Sequence, residues 1–185
     1  IIVCPRMENT RGLNTDSESS VSDNLGSIVN VGRYEDYFFN EVIPFAEMKY
    51  EISERFIGGA SAGGYAAIHY GLKYPSMFSR IGGHMPAIEI ELEESDIQYY
   101  GDEKGFHLNN PLEFNGFNQA HQFQSWYLDA GDKDEGGFNI SMNMFANHLI
   151  NNDMKVVHHI FDGHHNLQYI KDNIAKYLVF YNGKR

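Results

Sequence analysis

A glycine-rich turn between two apolar runs constrains the fold of this chain more than any other segment. Residues 58–65 read GGASAGGY and contain the pattern G-x-S-x-G centred on Ser61. The pattern is typical of a nucleophile elbow, where a sharp strand-to-helix turn exposes a serine hydroxyl. Glycines two residues before and after the serine avoid β-carbons that would collide with neighbouring backbone in so tight a turn. The segment therefore predicts a strand, a strained serine and a helix in immediate succession.

Further apolar runs predict an alternation of strands and helices along the chain. Such an alternation is typical of an α/β fold, with a mostly parallel sheet and helices on both of its faces. Pro44 lies inside the first helical pattern and is expected either to kink it or to mark a fresh first turn. The predicted strands cover residues 1–4, 55–58, 79–85, 124–131 and 155–161, and the predicted helices cover residues 34–50, 62–74, 111–120, 140–150 and 167–181.

Length and charge limit the kind of protein this can be. The 185 residues, 42% of them hydrophobic, predict a single domain over residues 1–185. The net charge of −11 argues against binding to nucleic acid or to an acidic membrane surface. No apolar run approaches the roughly 20 residues of a membrane-spanning helix. The sequence shows no signal-peptide pattern and only one cysteine, Cys4, which together favour a cytoplasmic location.

Polar residues cluster where the predicted strands end. In a parallel α/β sheet the chemistry collects at the carboxyl ends of the strands. Those ends carry Ser61, an acidic run over residues 129–134, and the neighbouring histidines His164 and His165. The order serine, acid, histidine is that of an α/β-hydrolase. Because an unassisted hydroxyl is a weak nucleophile, a histidine after the last strand is the expected general base.

Two further parts of a site follow from the same topology. The N–H of Ala62 follows the serine at a helix N-terminus, which is the right place for an oxyanion-hole donor. His84 and Met85 follow the third predicted strand and are candidates for the wall of a substrate pocket. A hydrogen-bonded structural role is the alternative for His84.

Several segments together resemble the esterase-D-type α/β-hydrolases. This group includes feruloyl and acetyl xylan esterases, S-formylglutathione hydrolases, enterochelin-type esterases and mycolyltransferases. The resemblance covers most of the chain from about Tyr34 onward and does not choose a substrate. The similar segments are YEDYFFNEVIPF at residues 34–45, GASAGGYAA at residues 59–67, YPSMF at residues 74–78, LDAGDKD at residues 128–134, and DGHH at residues 162–165.

The resemblance also implies roles for individual residues. It implies Ser61 as the nucleophile, and the family spacing after Gly163 favours His164 over its neighbour His165 as the general base. The resemblance implies Asp134 as the acid that orients the histidine.

Asp134 has two competitors in the same acidic run. Asp129 and Asp132 are the other carboxylates there, and Asp134 is preferred because it occupies the family's position after Gly131.

The start of the sequence departs from the family pattern. Members normally begin with a strand that ends in a His-Gly pair, whose loop offers a second oxyanion-hole amide. Residues 1–4 resemble the strand that follows, so we expect an N-terminally abbreviated α/β-hydrolase fold. Residues 1–4 either pair beside residues 55–58, or the sheet has a gap at that position.

The sequence thus predicts a serine hydrolase that cleaves carboxylic esters through an acyl-enzyme. The expected substrate is a small-molecule or carbohydrate-linked ester, and neither a metal nor an organic cofactor is expected. The alternatives are an acyltransferase or thioesterase of the same family, and an inactive hydrolase-like domain that acts as a binding module. Nothing in the sequence indicates an oligomeric state.

Overall fold

The computed structural model describes residues 1–7, 10–15, 21–22, 28–29 and 32–183 of the chain. In chain order, the strands are β1 (Val21–Ser22), β2 (Ile28–Val29), β3 (Phe56–Ala60), β4 (Arg80–His84), β5 (Ser125–Lys133) and β6 (Lys155–His164). The α-helices are α1 (Tyr34–Tyr37), α2 (Ile43–Glu47), α3 (Ala62–Lys73), α4 (Ile97–Tyr100), α5 (Glu103–Asn109), α6 (Phe138–Asn151) and α7 (Leu167–Asn182). A π-helical segment spans Phe38–Val42, and 3-10 turns span Glu94–Asp96, Pro111–Glu113 and His121–Phe123.

The chain divides into two compact units. The first contains Ile1–Ser53 and Glu91–Asn109, and the second contains Glu54–Ile90 and Asn110–Arg185. That residues 1–185 behave as a single domain stays a prediction.

In the first unit, the predicted helix over residues 34–50 is interrupted before Pro44, as its sequence indicates. Helix α1 is followed by the π-helical segment, and α2 then carries Pro44 in its first turn. Proline has no N–H to donate, and its ring collides with the carbonyl four residues earlier in a regular α-helix. The carbonyl four residues before Pro44 is that of Asn40, which lies in the π-helical segment and not in a regular α-helix. The short strands β1 and β2 of this unit pair in antiparallel fashion.

The predicted strand at residues 1–4 is wrong. No strand forms within the described residues 1–7, and the side chains of Ile1 and Ile2 are 74% and 80% exposed. Among the described residues, the alternative in which this segment pairs as a strand beside residues 55–58 is therefore wrong, and the alternative of a gap in the sheet stays a prediction. Its β-branched composition resembles a buried strand, but a strand is stable only when a neighbour satisfies its backbone groups.

In the second unit, a four-stranded parallel sheet has the strand order β3-β4-β5-β6. These strands correspond to the four later predicted strands. The predicted helices that begin at residues 62, 140 and 167 correspond to α3, α6 and α7. Residues 111–120 instead form a 3-10 turn, an irregular stretch and a turn at residues 119–120. There the Asn118 side chain accepts a hydrogen bond from the Ala120 N–H, which competes with helix formation. Within the described part of the chain, the strand that pairs with β3 is β4.

Helices cover both faces of this sheet. On β4, a β-carbon at Gly83 would touch Ile68 of α3, whereas a β-carbon at Gly82 would overlap the Tyr181 hydroxyl of α7. Since successive strand residues point to opposite faces, α3 and α7 lie on opposite sides of the sheet. The rings of Trp126 on β5 and Phe145 on α6 lie 5.9 Å apart in the core. The α/β prediction with helices on both faces is therefore confirmed.

Candidate active site

Ser61 lies in the turn between β3 and α3 in a conformation that few serines adopt. Its φ of 54° and ψ of −123° place it outside the common regions for residues other than glycine. Such backbone strain costs about 1–3 kcal/mol and persists only where the surroundings enforce it. Here the Ser61 N–H donates to the His84 carbonyl at 2.9 Å, and the Ser61 carbonyl accepts from the N–H groups of Tyr65 and Ala87 at 3.0 Å. These bonds anchor the turn to the end of β4 and to the start of α3.

The spacing of glycines in the turn has a direct steric cause. A β-carbon at Gly59 would lie 2.5 Å from the carbonyl carbon and oxygen of Gly63. Real β-carbons do not approach backbone so closely, so only glycine fits at residue 59. The strand–serine–helix succession predicted from the sequence is confirmed by this geometry.

A chain of two hydrogen bonds joins Ser61 to a buried carboxylate through His165. The distance from His165 Nε2 to Ser61 Oγ is 2.9 Å, and that from His165 Nδ1 to Asp134 Oδ2 is 2.8 Å. Because an ionised carboxylate only accepts, Nδ1 carries the proton and Nε2 is left to accept the Ser61 hydroxyl. This tautomer is the one that a general base acting on Ser61 requires.

The loop after β5 holds Asp134 in place. The other carboxylate oxygen of Asp134 accepts the Gly136 N–H at 3.0 Å, and its backbone N–H donates to the Gly131 carbonyl at 3.3 Å. The Asp134 side chain is buried. Hydrogen bonds from backbone N–H groups stabilise a buried carboxylate, so the acid is fixed before any substrate arrives.

His164 does not contact Ser61, which corrects the sequence-based choice between the two histidines. His164 Nδ1 lies 2.7 Å from Glu135 Oε1, and both side chains are exposed. His164 is the last residue of β6 and His165 is the first residue beyond it, and successive side chains of a strand point in opposite directions. The spacing after Gly163 therefore could not separate the two.

Glu135 also supports the histidine that faces Ser61. Its Oε2 accepts the backbone N–H of His165 at 3.0 Å. This bond, with one from its own backbone and one from His164, lowers the pKa of Glu135 to about 2. Sequence reasoning missed Glu135. Its signal was available, since consecutive acids at residues 134–135 face consecutive histidines at residues 164–165.

His84 and Met85 do not form an open pocket wall, contrary to the prediction. Both are nearly fully buried, at 5% and 3% exposure. His84 Nδ1 donates to Asp129 Oδ1 at 2.7 Å, and His84 Nε2 lies 3.2 Å from the Tyr181 hydroxyl. His84 thus has the structural, hydrogen-bonded role that was its alternative, and its carbonyl accepts the Ser61 N–H of the elbow.

The two competitors of Asp134 lie elsewhere. Asp129 is buried with His84 on the α7 face of the sheet, and Asp132 Oδ1 accepts the Gly163 N–H at 2.9 Å.

Ala62 is the first residue of α3, directly after Ser61, and its oxyanion role stays a prediction. The ring of Phe138, which sequence reasoning did not select, lies 5.2 Å from the His165 ring.

The described residues show neither a metal-binding cluster nor a transmembrane helix. No three or more of their histidine, cysteine, aspartate and glutamate side chains are arranged to hold a metal ion. Among the helices that the structure describes, none combines the length and apolar character needed to cross a bilayer.

Comparison with known proteins agrees with the resemblance predicted from the sequence. A family model described as "Esterase: Putative esterase" matches residues 1–175. A comparison with curated proteins found no match.

Solved structures share the fold at low sequence identity. A ferulic acid esterase is 24% identical to this chain, with a TM-score of 0.65. The alignment covers 78% of this chain and 58% of the esterase. An S-formylglutathione hydrolase from Agrobacterium tumefaciens is 18% identical, with a TM-score of 0.63. The alignment covers 79% of this chain and 55% of the hydrolase. A fluorophosphonate-binding serine hydrolase from Staphylococcus aureus is 17% identical, with a TM-score of 0.60. The alignment covers 83% of this chain and 65% of that hydrolase. The chain therefore spans less than two thirds of the length of these structures.

Proposed function

Since the chain belongs to the putative esterase family, we propose that it is a serine hydrolase that cleaves carboxylic esters. The observation that carries this proposal is the hydrogen-bonded chain from Asp134 through His165 to Ser61. A strained serine, an imidazole bonded to it and a buried carboxylate in that order are the parts that nucleophilic acyl transfer needs.

In the first half of the reaction, Ser61 Oγ attacks the carbonyl carbon of the ester. His165 Nε2 takes the hydroxyl proton as the new C–O bond forms, and the carbonyl oxygen becomes an oxyanion. Asp134 accepts the Nδ1–H and stabilises the imidazolium. The tetrahedral intermediate collapses when His165 returns the proton to the leaving alcohol, and the acyl group remains on Ser61.

In the second half, water replaces the alcohol. His165 takes a proton from the attacking water, and the second tetrahedral intermediate expels Ser61 Oγ, which recovers its proton from His165. The products are a carboxylic acid and an alcohol. Ala62 N–H, at the N-terminus of α3, is the proposed donor to the oxyanion in both intermediates. Each step uses only side chains, backbone and water.

The proposed substrates are small-molecule carboxylic esters. The solved structures that share the fold include a ferulic acid esterase and an enterobactin esterase from Shigella flexneri. Their names support this ester class for the present chain without selecting one member of it.

A fluorophosphonate probe tests the proposal directly, because it labels only an activated serine. We expect labelling of the wild-type chain at Ser61, hydrolysis of short-chain p-nitrophenyl esters, and loss of both in Ser61→Ala. Circular dichroism and a thermal melt confirm that each sample is folded. A folded wild-type chain that neither labels nor hydrolyses these esters would favour the inactive binding module instead.

A further inference from the structure

A second polar cluster, separate from the candidate site, lies on the α7 face of the sheet. At its centre is the carboxylate of Asp129, which is completely buried. Its Oδ1 accepts His84 Nδ1–H at 2.7 Å, and its Oδ2 accepts the hydroxyls of Tyr169 and Tyr177, both at 2.8 Å. A buried carboxylate without such donors would be very costly, so the three bonds act together.

Both tyrosines act as donors at any ordinary pH. Burial, and then the charge of Asp129, raise the pKa values of Tyr169 and Tyr177 far above the usual value of a phenol. Each hydroxyl therefore keeps its proton and donates it to the carboxylate. Charge-assisted bonds of this kind are about twice as strong as bonds between neutral groups.

Tyr169 connects this cluster to the loop that carries His165. It lies four residues after His165, in the first turn of α7. Its ring packs so closely on Gly163 that a β-carbon there would lie 2.6 Å from Tyr169 Cδ2. Its N–H donates to the Asn166 side chain at 3.1 Å. The ring and backbone of Tyr169 thus contact residues on both sides of His165, and its hydroxyl joins this loop to Asp129.

Tyr177 makes the same hydrogen bond from a different place. It lies two helical turns further along α7, and its ring stacks on His84 with the centroids 3.6 Å apart. Its donor atom, its acceptor atom and its bond length match those of Tyr169. Its position is remote in sequence from the His165 loop, so the two tyrosines form a matched pair.

We propose that Tyr169 is a positioning residue that aligns His165 with Ser61 by tying the His165 loop to the buried Asp129 carboxylate. This inference rests on the proposed function. Tyr169 does not touch the reacting atoms, and it acts by restricting where the His165 imidazole can lie. Misplacement of a catalytic group by about 1 Å can cost up to about 100-fold in rate.

The test compares Tyr169→Phe with Tyr177→Phe, since each removes one hydroxyl from the same carboxylate oxygen. We expect similar decreases in melting temperature for the two variants. For Tyr169→Phe we expect kcat on a p-nitrophenyl ester to fall about tenfold at unchanged KM. For Tyr177→Phe we expect kcat within about twofold of wild type. Equal effects on kcat, or an unchanged kcat in Tyr169→Phe, would overturn the inference.

A second readout does not depend on turnover. The His165 Nδ1 proton, held by Asp134, is followed by NMR as a far-downfield resonance, assigned by its loss in His165→Gln. We expect this resonance to broaden or disappear in Tyr169→Phe and to persist in Tyr177→Phe. Its persistence in both variants would contradict the positioning role. If the wild-type chain is folded but inactive, the proposed function fails while this comparison still decides the inference.

A surface variant covers the case in which Tyr169→Phe does not fold. Asn166→Ala removes the bond between the Asn166 side chain and the Tyr169 N–H but leaves all three donors on Asp129. We expect a lower kcat at unchanged KM, together with a weakened downfield resonance. Wild-type kcat and an unchanged resonance in this variant would overturn the proposal.

Discussion

Two acid–histidine pairs lie side by side at the carboxyl ends of β5 and β6. Asp134 bonds His165 at 2.8 Å, and Glu135 bonds His164 at 2.7 Å. Their surroundings differ greatly. The Asp134 and His165 side chains are 0% and 20% exposed, whereas those of Glu135 and His164 are 65% and 53% exposed. Adjacent residues with the same chemistry and nearly equal bond lengths are thus placed in two different environments.

The difference shows that burial, and not the bond itself, separates a candidate catalytic pair from a surface pair. Water screens the exposed pair, and such pairs contribute little to stability. The buried carboxylate has lost its hydration, so its interaction with an imidazolium is much stronger. Glu135 still matters to the buried pair, because its second oxygen holds the backbone N–H of His165.

The largest expected effect separates the two histidines. His165→Ala removes the group bonded to Ser61, so we expect kcat on a p-nitrophenyl ester to fall by ~10⁴-fold or more. His164→Ala removes only an exposed partner of Glu135, and we expect a change of less than about tenfold. Steady-state kinetics with melting temperatures as a folding control check both. A larger loss of kcat in His164→Ala than in His165→Ala would make His164 the general base and would contradict the contrast between the two pairs.

Substitution of the buried acid should lower kcat more than substitution of the exposed acid. We expect this difference to be smaller than the difference between the two histidine variants. Asp134→Asn keeps the shape of the acid but removes its charge and favours the wrong imidazole tautomer. We expect a loss of ~10⁴-fold in kcat, the size of the loss when the acid of a serine triad is changed in this way.

Glu135→Gln is the matched control for Asp134→Asn. Its amide oxygen can still accept the His165 N–H, so we expect a decrease of less than about tenfold, with KM unchanged. Comparable losses in the two variants would show that the acid role is shared between the pairs.

The smallest effect is the pH dependence of stability in the exposed pair. The pKa of Glu135 is lowered from 4.5 to about 2, first by the backbone N–H of His165. Its stabilising contribution is therefore complete above about pH 4.5 and is lost as the pH falls toward about 2. The difference in melting temperature between wild type and Glu135→Gln should be larger at pH 6 than at pH 3. A difference that stays constant over this range would show that the Glu135 carboxylate gains nothing from its bonds in the folded state.

Local patterns were sufficient for much of the fold and for part of the candidate site. The elbow at Ser61 was predictable because the turn leaves no room for a β-carbon at Gly59, and this constraint arises within the five residues 59–63. Asp134 came from its place in the family resemblance, and the structure brings it to the histidine that bonds Ser61. Residues 1–4 were misread because β-branched composition indicates a strand only when a partner strand is present.

Side-chain direction and long-range partners were beyond local patterns. His164 and His165 differ by one residue, and the end of β6 decides which of them turns toward Ser61. The cluster at Asp129 joins residues from β4, β5 and α7, which lie 40 and more positions apart in the chain. No spacing rule links such residues, because only the packing of α7 on the sheet brings them together.

By itself, the sequence determined that this chain is an α/β protein with a serine elbow followed by an acid and a histidine. Those features depend on backbone sterics and hydrophobic periodicity, which act over a few residues. The tertiary structure alone decided which histidine faces Ser61 and that His84 lies in a buried network. Each of those outcomes depends on burial and on the meeting of distant strand ends, and both arise only when the sheet is assembled.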